Sequence, residues 1–185
     1  MQKELQIEYK QPSDLCLLVE EAFTNVPYPG DDKIGFIGPH TGTASAEEVQ
    51  IIFKGKHWKE LLQKPNRWFR SHYWVFSSLT PSAYHFFLPA FIIKSVTDEK
   101  DLDLVPDWIV YNLIPPPKKY NKSLMPIYVD RMAKFNLKQK RALIIFLKYL
   151  MKRHINEKTF VGYINEAISE LQSNKGGTHK WVSQR

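Results

Sequence analysis

The residues best suited to chemistry are two adjacent aspartates, Asp31 and Asp32, in the stretch PYPGDD. Neighbouring carboxylates can hold a cation or share a proton. His57 follows Gly55, the expected end of a helix, so all three side chains could converge. Such a set would suit a hydrolase-like or metal-dependent enzyme. Adjacent side chains usually point apart, however, and Pro-Gly-Asp-Asp is also typical of a plain turn, which is the interpretation we favour.

The remaining sequence contains no pattern that indicates a reaction. The six histidines show no compact metal-ligand spacing, and there is no Gly-x-Ser-x-Gly elbow. The glycines between 35 and 42 do not match a phosphate-binding loop. The single cysteine, Cys16, lies beside an apolar helical stripe and is expected to be an inert, buried thiol. We therefore predict no metal and no cofactor, and we favour a protein that is not an enzyme.

The positive charge is concentrated in the second half of the chain. Residues 1–95 are balanced, whereas residues 96–185 hold 16 basic and 9 acidic side chains and so carry the whole net charge of +7. Between 118 and 158, 12 basic residues stand against 2 acidic ones. This basic belt predicts an acidic protein partner or, as an alternative, a nucleic acid. The predicted partner-binding residues are Lys138, Arg141, Lys148, Lys152 and Arg153. A basic face that serves only solubility is the plainer interpretation.

The composition favours a cytoplasmic protein. One cysteine permits no disulfide framework within the chain, which is typical of a reducing compartment. The first ten residues, MQKELQIEYK, have no apolar core of a secretory signal. No segment reaches the roughly 18 consecutive apolar residues of a membrane-spanning helix. We expect no membrane association, and the sequence leaves the oligomeric state open.

The apolar stretch 79–96, LTPSAYHFFLPAFIIKSV, must position the rest of the chain. Thr80 is a suitable helix N-cap, and a proline follows it where proline is tolerated. Pro89 lies inside the pattern and predicts a kink or two short helices. The face that contains Phe86, Phe87 and Phe91 is expected to be buried beneath other helices.

Further helices are predicted around this central one. Their expected starts or spans are Ser13, Ser45 with its capping box, 136–154, and 157–173. The aromatic stretch 66–78 predicts a strand or turn wedged into the core, and 117–130 a weakly structured loop. The fold class is therefore mainly α: a single-domain, irregular helical bundle around a Pro-kinked aromatic helix, with at most a few short strands. We assign the domain to residues 1–175 and a polar C-terminal tail to 176–185.

Four stretches resemble a family of bacterial proteins of unknown function. They are PYPGDD at 27–32, GKHW at 55–58, LTPSAYHFFLPAF at 79–91 and LKQKRALIIFLKYL at 137–150. The resemblance covers residues 15–150 and implies no established activity. Helices of the type Ala-Tyr-x-x-Phe-Leu-Pro-Ala also resemble those of bacterial toxin-immunity proteins, which implies a binding role. We expect a non-enzymatic, protein-binding module, immunity- or antitoxin-like. The alternatives are the enzyme at Asp31, Asp32 and His57, and nucleic-acid binding through 118–158.

Overall fold

The computed structural model describes residues 11–36, 45–118 and 121–173, and this part of the chain is mainly helical. Its α-helices are α1 (Pro12–Phe23), α2 (Ala46–Phe53), α3 (Trp58–Leu61), α4 (Asn66–His72), α5 (Pro81–Thr97), α6 (Val105–Tyr111), α7 (Asn121–Lys134), α8 (Leu137–Arg153) and α9 (Lys158–Gln172). Short 3-10 segments cover Asp31–Lys33, Tyr73–Ser78 and Glu99–Asp101. Within these ranges there is no strand, only an isolated antiparallel bridge between Gly35 and Leu79. The mainly-α prediction is confirmed.

Helix α5 lies at the centre of the hydrophobic core. Its cap is the predicted one, because the Thr80 hydroxyl accepts from the backbone N–H of Ala83 at 3.2 Å. The helix continues through Pro89 as one element, so the expectation of two short helices is wrong. Twelve of its 17 residues are buried, which matches its position between α1, α3, α6 and α7. Phe86 and Phe91 are almost completely buried, as the sequence predicts.

The aromatic stretch 66–78 packs against α5, but as helix α4 and a 3-10 segment rather than a strand. Phe69 and Phe76 contact the Phe91 ring edge-on, with centroids 4.9 and 4.2 Å away. Such edge-to-face pairs stabilise an aromatic core beyond the area that they bury. The predicted core packing is therefore present, and the predicted backbone conformation is wrong.

Helix α7 corrects the predicted loop at 117–130. The prolines at 115–117 favoured irregular structure, but the helix extends from Asn121 to Lys134 with Pro126 inside it. Arg131 explains why α7 is ordered. The residue is only 6% exposed, and its guanidinium donates to the carbonyls of Phe76, Ser77 and Leu79 at 2.8–3.0 Å. A buried charged side chain therefore holds α7 in place. The spacing of apolar residues in the sequence does not indicate such a contact.

Helices α1, α8 and α9 form a layer with α8 in the middle. The predicted capping box opens α8, since the Asn136 side chain accepts from the N–H of Gln139 at 2.9 Å. The buried Gln139 amide also donates to the carbonyl of Ala22 and accepts from His85 Nε2. One polar side chain thus joins the end of α1, the start of α8 and the middle of α5.

No helix in the described ranges is long and apolar enough to cross a membrane. The domain over 1–175 and the tail over 176–185 remain predictions, because residues 174–185 lie outside the described part.

Candidate functional site

The loop before α2 is organised by a hydrogen bond between Tyr28 and Asp31. The Tyr28 hydroxyl donates to Asp31 Oδ1 at 2.5 Å. The backbone N–H of Gly55 donates to the same tyrosine oxygen at 2.9 Å and to Asp31 Oδ1 at 3.2 Å. The PYPGDD loop is therefore tied to the residue just beyond α2. Gly55 suits this position because its φ of +67° is strained for any residue with a Cβ.

His57 lies beside this hydrogen-bonded group and begins α3. Its Nδ1 accepts from the N–H of Lys59 at 3.1 Å, so the neutral ring carries its proton on Nε2. The Glu60 carboxylate in turn accepts from the N–H of His57 at 3.1 Å. The side chains of His57 and Glu60 thus both cap the N-terminus of α3. These contacts stabilise the helix start and would be needed even if His57 had no further role.

Three of the four stretches that carry the family resemblance meet at Phe86 on α5: PYPGDD, GKHW and LTPSAYHFFLPAF. The ring centroid of Tyr28 lies 5.4 Å from that of Phe86, and the centroid of His57 lies 5.2 Å from it, both edge-on. Residues from all three stretches therefore share one corner of the molecule. The loop and the GKHW turn each contribute a partly exposed ring, and α5 contributes the buried ring beneath them.

An open cleft of about 200 Å³ occupies this corner. Its lining residues are Tyr28, Gly55, Lys56, His57 and Glu60. The structure thus brings the predicted candidates Asp31 and His57 to one place, Asp31 through its bond to Tyr28. Neither Asp31 nor the third candidate, Asp32, lines the cleft, and Asp32 is exposed. Within the described ranges, no three His, Cys, Asp or Glu side chains are grouped as metal ligands would be.

The electrostatics of the cleft favour fixed protonation states. The hydrogen bond from Tyr28 lowers the pKa of Asp31, and the Gly55 N–H and the charge of Lys54 act in the same direction. Burial and the hydrogen bond to Asp31 raise the pKa of Tyr28. At neutral pH the pair is therefore a carboxylate and a protonated phenol, which suits a structural hydrogen bond better than proton transfer.

Lys56, a cleft residue that the sequence did not single out, folds back onto the end of α2. Its ammonium donates to the carbonyl of Ile52 and, at 3.5 Å, to that of Ile51. Burial lowers the pKa of Lys56, and the charge of Lys64 lowers it further. Only spacing could have indicated Tyr28 and Lys56 from the sequence. Tyr28 stands three residues before Asp31, and Lys56 directly follows the glycine that ends α2.

The predicted partner-binding residues lie on α8. Lys138, Arg141, Lys148 and Lys152 follow one another at spacings of three, seven and four, so they form a single stripe, the α8 stripe. Lys138 and Lys152 are exposed, whereas Arg141 and Lys148 are half-buried. Arg153 departs from this stripe, with its guanidinium carbon 5.3 Å from the centroid of the Tyr149 ring.

The α8 stripe borders α1. Lys138 Nζ lies 3.5 Å from Glu21 Oε2, and both side chains are more than half exposed, so this ion pair contributes little to stability. Two large apolar side chains near this ion pair in sequence are among the most exposed: Leu17, four residues before Glu21 on α1, at 61%, and Leu137, which precedes Lys138 on α8, at 81%. The surface beside the stripe thus combines positive charge with isolated apolar contacts.

The family model of DUF6714, a family of unknown function, matches residues 12–170. The chain belongs to this family. The DUF6714 match begins with α1 and ends within α9, so it contains all of the helices except the last two residues of α9. It also extends beyond the residues 15–150 of the sequence resemblance, which had omitted α9. No curated protein and no solved structure matches the chain.

Proposed function

We propose that this DUF6714 member is a non-enzymatic binding protein that docks an acidic protein partner on its α8 stripe. The observation that supports the proposal is the charge of α8, whose 17 residues include six basic side chains and no acidic one. Lys138, Lys152 and Arg153 are exposed at the two ends of the helix.

The neighbouring apolar residues favour a protein partner over a nucleic acid. Leu137 precedes Lys138, and Leu17 lies about one helical turn before Glu21, the ion-pair partner of Lys138; both leucines are exposed. A partner segment that combines carboxylates with apolar side chains would cover both kinds of surface. A phosphate backbone would use only the charges. An immunity- or antitoxin-like role is the specific form of this proposal.

Matched charge reversals test the proposal. In the first variant Lys138, Lys148 and Lys152 are all changed to Glu; in the control, Arg67, Arg70 and Lys100, exposed residues elsewhere, are changed in the same way. Both variants alter the net charge equally. Affinity capture from the source organism, followed by titration of the recovered partner, should show at least roughly 100-fold weaker binding for the α8 variant only.

The result that contradicts the proposal is equal binding by both variants, or no stoichiometric partner with the unaltered chain. Fluorescence anisotropy with a 20-base-pair DNA duplex tests the nucleic-acid alternative over 118–158. DNA affinity that falls steeply with salt and is lost only in the α8 variant would favour that alternative.

The enzyme alternative has one specific observation in its favour, a cleft lined by Tyr28 and His57 in which Tyr28 is hydrogen-bonded to Asp31. Turnover of p-nitrophenyl acetate and p-nitrophenyl phosphate, with and without divalent cations, tests it. A hydrolase of this kind should lose activity in Asp31→Asn and keep it in Asp32→Asn, because Asp31 is hydrogen-bonded to the cleft residue Tyr28. Absence of turnover by the unaltered chain in every condition would remove this alternative.

A further inference from the structure

Two unpaired polar atoms lie buried where α5 packs against α7. The hydroxyl of Tyr84 and the Nε–H of Arg131 are both shielded from solvent, and neither has a hydrogen-bond partner in the part of the chain that the structure describes. Tyr84 is completely buried, and Arg131 is 6% exposed. An unpaired buried polar atom has lost its bonds to water without replacement, so native proteins contain few of them. These two atoms therefore require an explanation.

The two side chains that carry these atoms are in direct contact. The guanidinium carbon of Arg131 lies 4.8 Å from the centroid of the Tyr84 ring. Burial raises the pKa of Tyr84, and the positive charge of Arg131 opposes that rise, so the hydroxyl lies within range of the guanidinium. The two groups nevertheless form no direct hydrogen bond with each other. Both unpaired atoms thus lie in the same interhelical space.

Tyr128 contributes a third polar group on the α7 side. It stands three residues before Arg131 on α7 and is 9% exposed, so both side chains project from the buried face of that helix. Its hydroxyl donates to Glu170 Oε2 at 3.0 Å, and its oxygen can still accept a hydrogen bond. The charge of Tyr84 acts on Tyr128, which indicates that the two phenol groups are close.

The chemistry of the three groups selects their ligand. The Nε–H of Arg131 can only donate, whereas the oxygen of Tyr128 can only accept while its proton is bonded to Glu170. A ligand that pairs with both must accept and donate, as water does. A chloride ion could only accept. It would also lie near the negative charges of Glu170 and Glu166, which act on Tyr128.

We propose that one ordered water molecule is bound between α5 and α7, where it accepts from Arg131 Nε and the Tyr84 hydroxyl and donates to the Tyr128 oxygen. The water connects the buried guanidinium to Glu170 on α9, so α5, α7 and α9 share one hydrogen-bond network. This site is separate from the α8 stripe and from the cleft, and it does not depend on the partner binding proposed above.

Tyr84→Phe tests the proposal through stability. The substitution keeps the ring over the guanidinium and removes only the hydroxyl. If the hydroxyl binds water, its loss should reduce the equilibrium constant for folding roughly tenfold, as measured by urea denaturation. If the hydroxyl has no partner at all, its removal should instead stabilise the protein. Tyr73→Phe is the control, because Tyr73 is a half-buried tyrosine that packs on Trp108, outside the site, and it should change little.

Two direct measurements locate the ligand. A crystal structure that shows ordered waters should contain one within hydrogen-bond distance of Tyr84 Oη and Arg131 Nε. In solution, the magnetic relaxation dispersion of water oxygen-17 counts long-lived internal waters. Tyr84→Phe should reduce that count or shorten the residence time of one water, whereas Tyr73→Phe should change neither.

Three results would overturn the proposal. The first is a Tyr84→Phe variant that is as stable as the unaltered chain or more stable. The second is a crystal structure in which the Tyr84 hydroxyl bonds directly to a protein atom, or in which no water lies at the site. The third is a bound anion, recognised by a urea midpoint that is higher in sodium chloride than in sodium gluconate at equal ionic strength, with the difference abolished by Tyr84→Phe.

Discussion

At the scale of single residues, Arg131 is the least expected feature. It is a buried cation whose negative partners are backbone carbonyls at the end of the 3-10 segment, together with Asn112 Oδ1 at 2.9 Å. Its guanidinium carbon also lies 4.8 Å from the centroid of the Tyr84 ring. Burial lowers the pKa of Arg131 to about 10, so the side chain stays charged at neutral pH. A single side chain therefore holds α7 against three other segments.

Arg131→Met should destabilise the protein strongly. The substitution retains apolar volume but removes the guanidinium donor from the carbonyls of Phe76 and Leu79, and we expect a loss of about 3–5 kcal/mol in the free energy of unfolding. Urea denaturation followed by circular dichroism measures it. The exposed control Arg67→Met should change stability by less than about 0.5 kcal/mol. A similar small change for Arg131→Met would contradict the structural role.

Two glycines should respond in opposite directions to alanine. Gly55 has a φ of +67°, so Gly55→Ala should cost about 1–2 kcal/mol. Gly162 lies inside α9, where an added methyl group would meet only open space, so Gly162→Ala should stabilise by about 1 kcal/mol. Midpoints of urea unfolding for the two variants decide the matter, and a shift of the same sign in both would refute the argument.

At the scale of helices, local chemistry made the starts of several elements predictable. The caps at Thr80, Ser45 and Asn136 are all present, because a side-chain oxygen close in sequence satisfies a free N–H at each start. The predictions for the aromatic stretch 66–78 and for the segment that forms α7 were wrong for a different reason. The stretch 66–78 packs against Phe91, and α7 is held through the bonds of Arg131 to carbonyls of residues 76–79. These partners are distant in sequence, and local propensity carries no information about such contacts.

Asn136→Ala should measure the strength of the α8 cap. Removing the side-chain acceptor leaves the N–H of Gln139 without its bond, and we expect a loss of about 1 kcal/mol. Asn136→Asp preserves the acceptor and should retain most of the stability. Thermal and urea unfolding of both variants provide the comparison, and equal destabilisation by the two would show that capping is not the cause.

The candidate site was predictable only in part. Asp31 and His57 attracted attention through their residue types; His57 lines the cleft, whereas Asp31 is hydrogen-bonded to the cleft residue Tyr28. Tyr28 and Lys56 were missed because their contribution depends on the packing of the loop against the end of α2. The positive charge of α8 could be counted from the sequence. The half-burial of Arg141 and Lys148 could not be predicted, because it depends on how the neighbouring helices pack.

At the scale of the whole molecule, stability should fall on mild acidification. Burial lowers the pKa of His85 from its ordinary 6.5, and the charge of Lys134 on α7 lowers it further, although the bond to Gln139 opposes this. The unfolded state therefore binds the proton more readily. The stabilising contribution is complete above pH 6.5, decreases as the pH drops below it, and stops changing below the folded-state pKa.

Urea midpoints measured between pH 8 and pH 5 test this expectation. The midpoint should decrease below about pH 6.5, and His85→Gln should flatten the profile. Asp31 and Asp98 have lowered pKa values, so their contributions are lost only in more acidic solution, below about 3.8. An unchanged acid profile in His85→Gln would assign the effect to other groups.

The nearly complete burial of α5 also has a consequence for synthesis. The ribosome synthesises this apolar helix before α6 and α7, two of the elements that cover it. The nascent chain therefore exposes an aggregation-prone apolar segment until about forty further residues have emerged. Chains released early, between α5 and α7, should therefore aggregate and require chaperones, whereas the completed product should not.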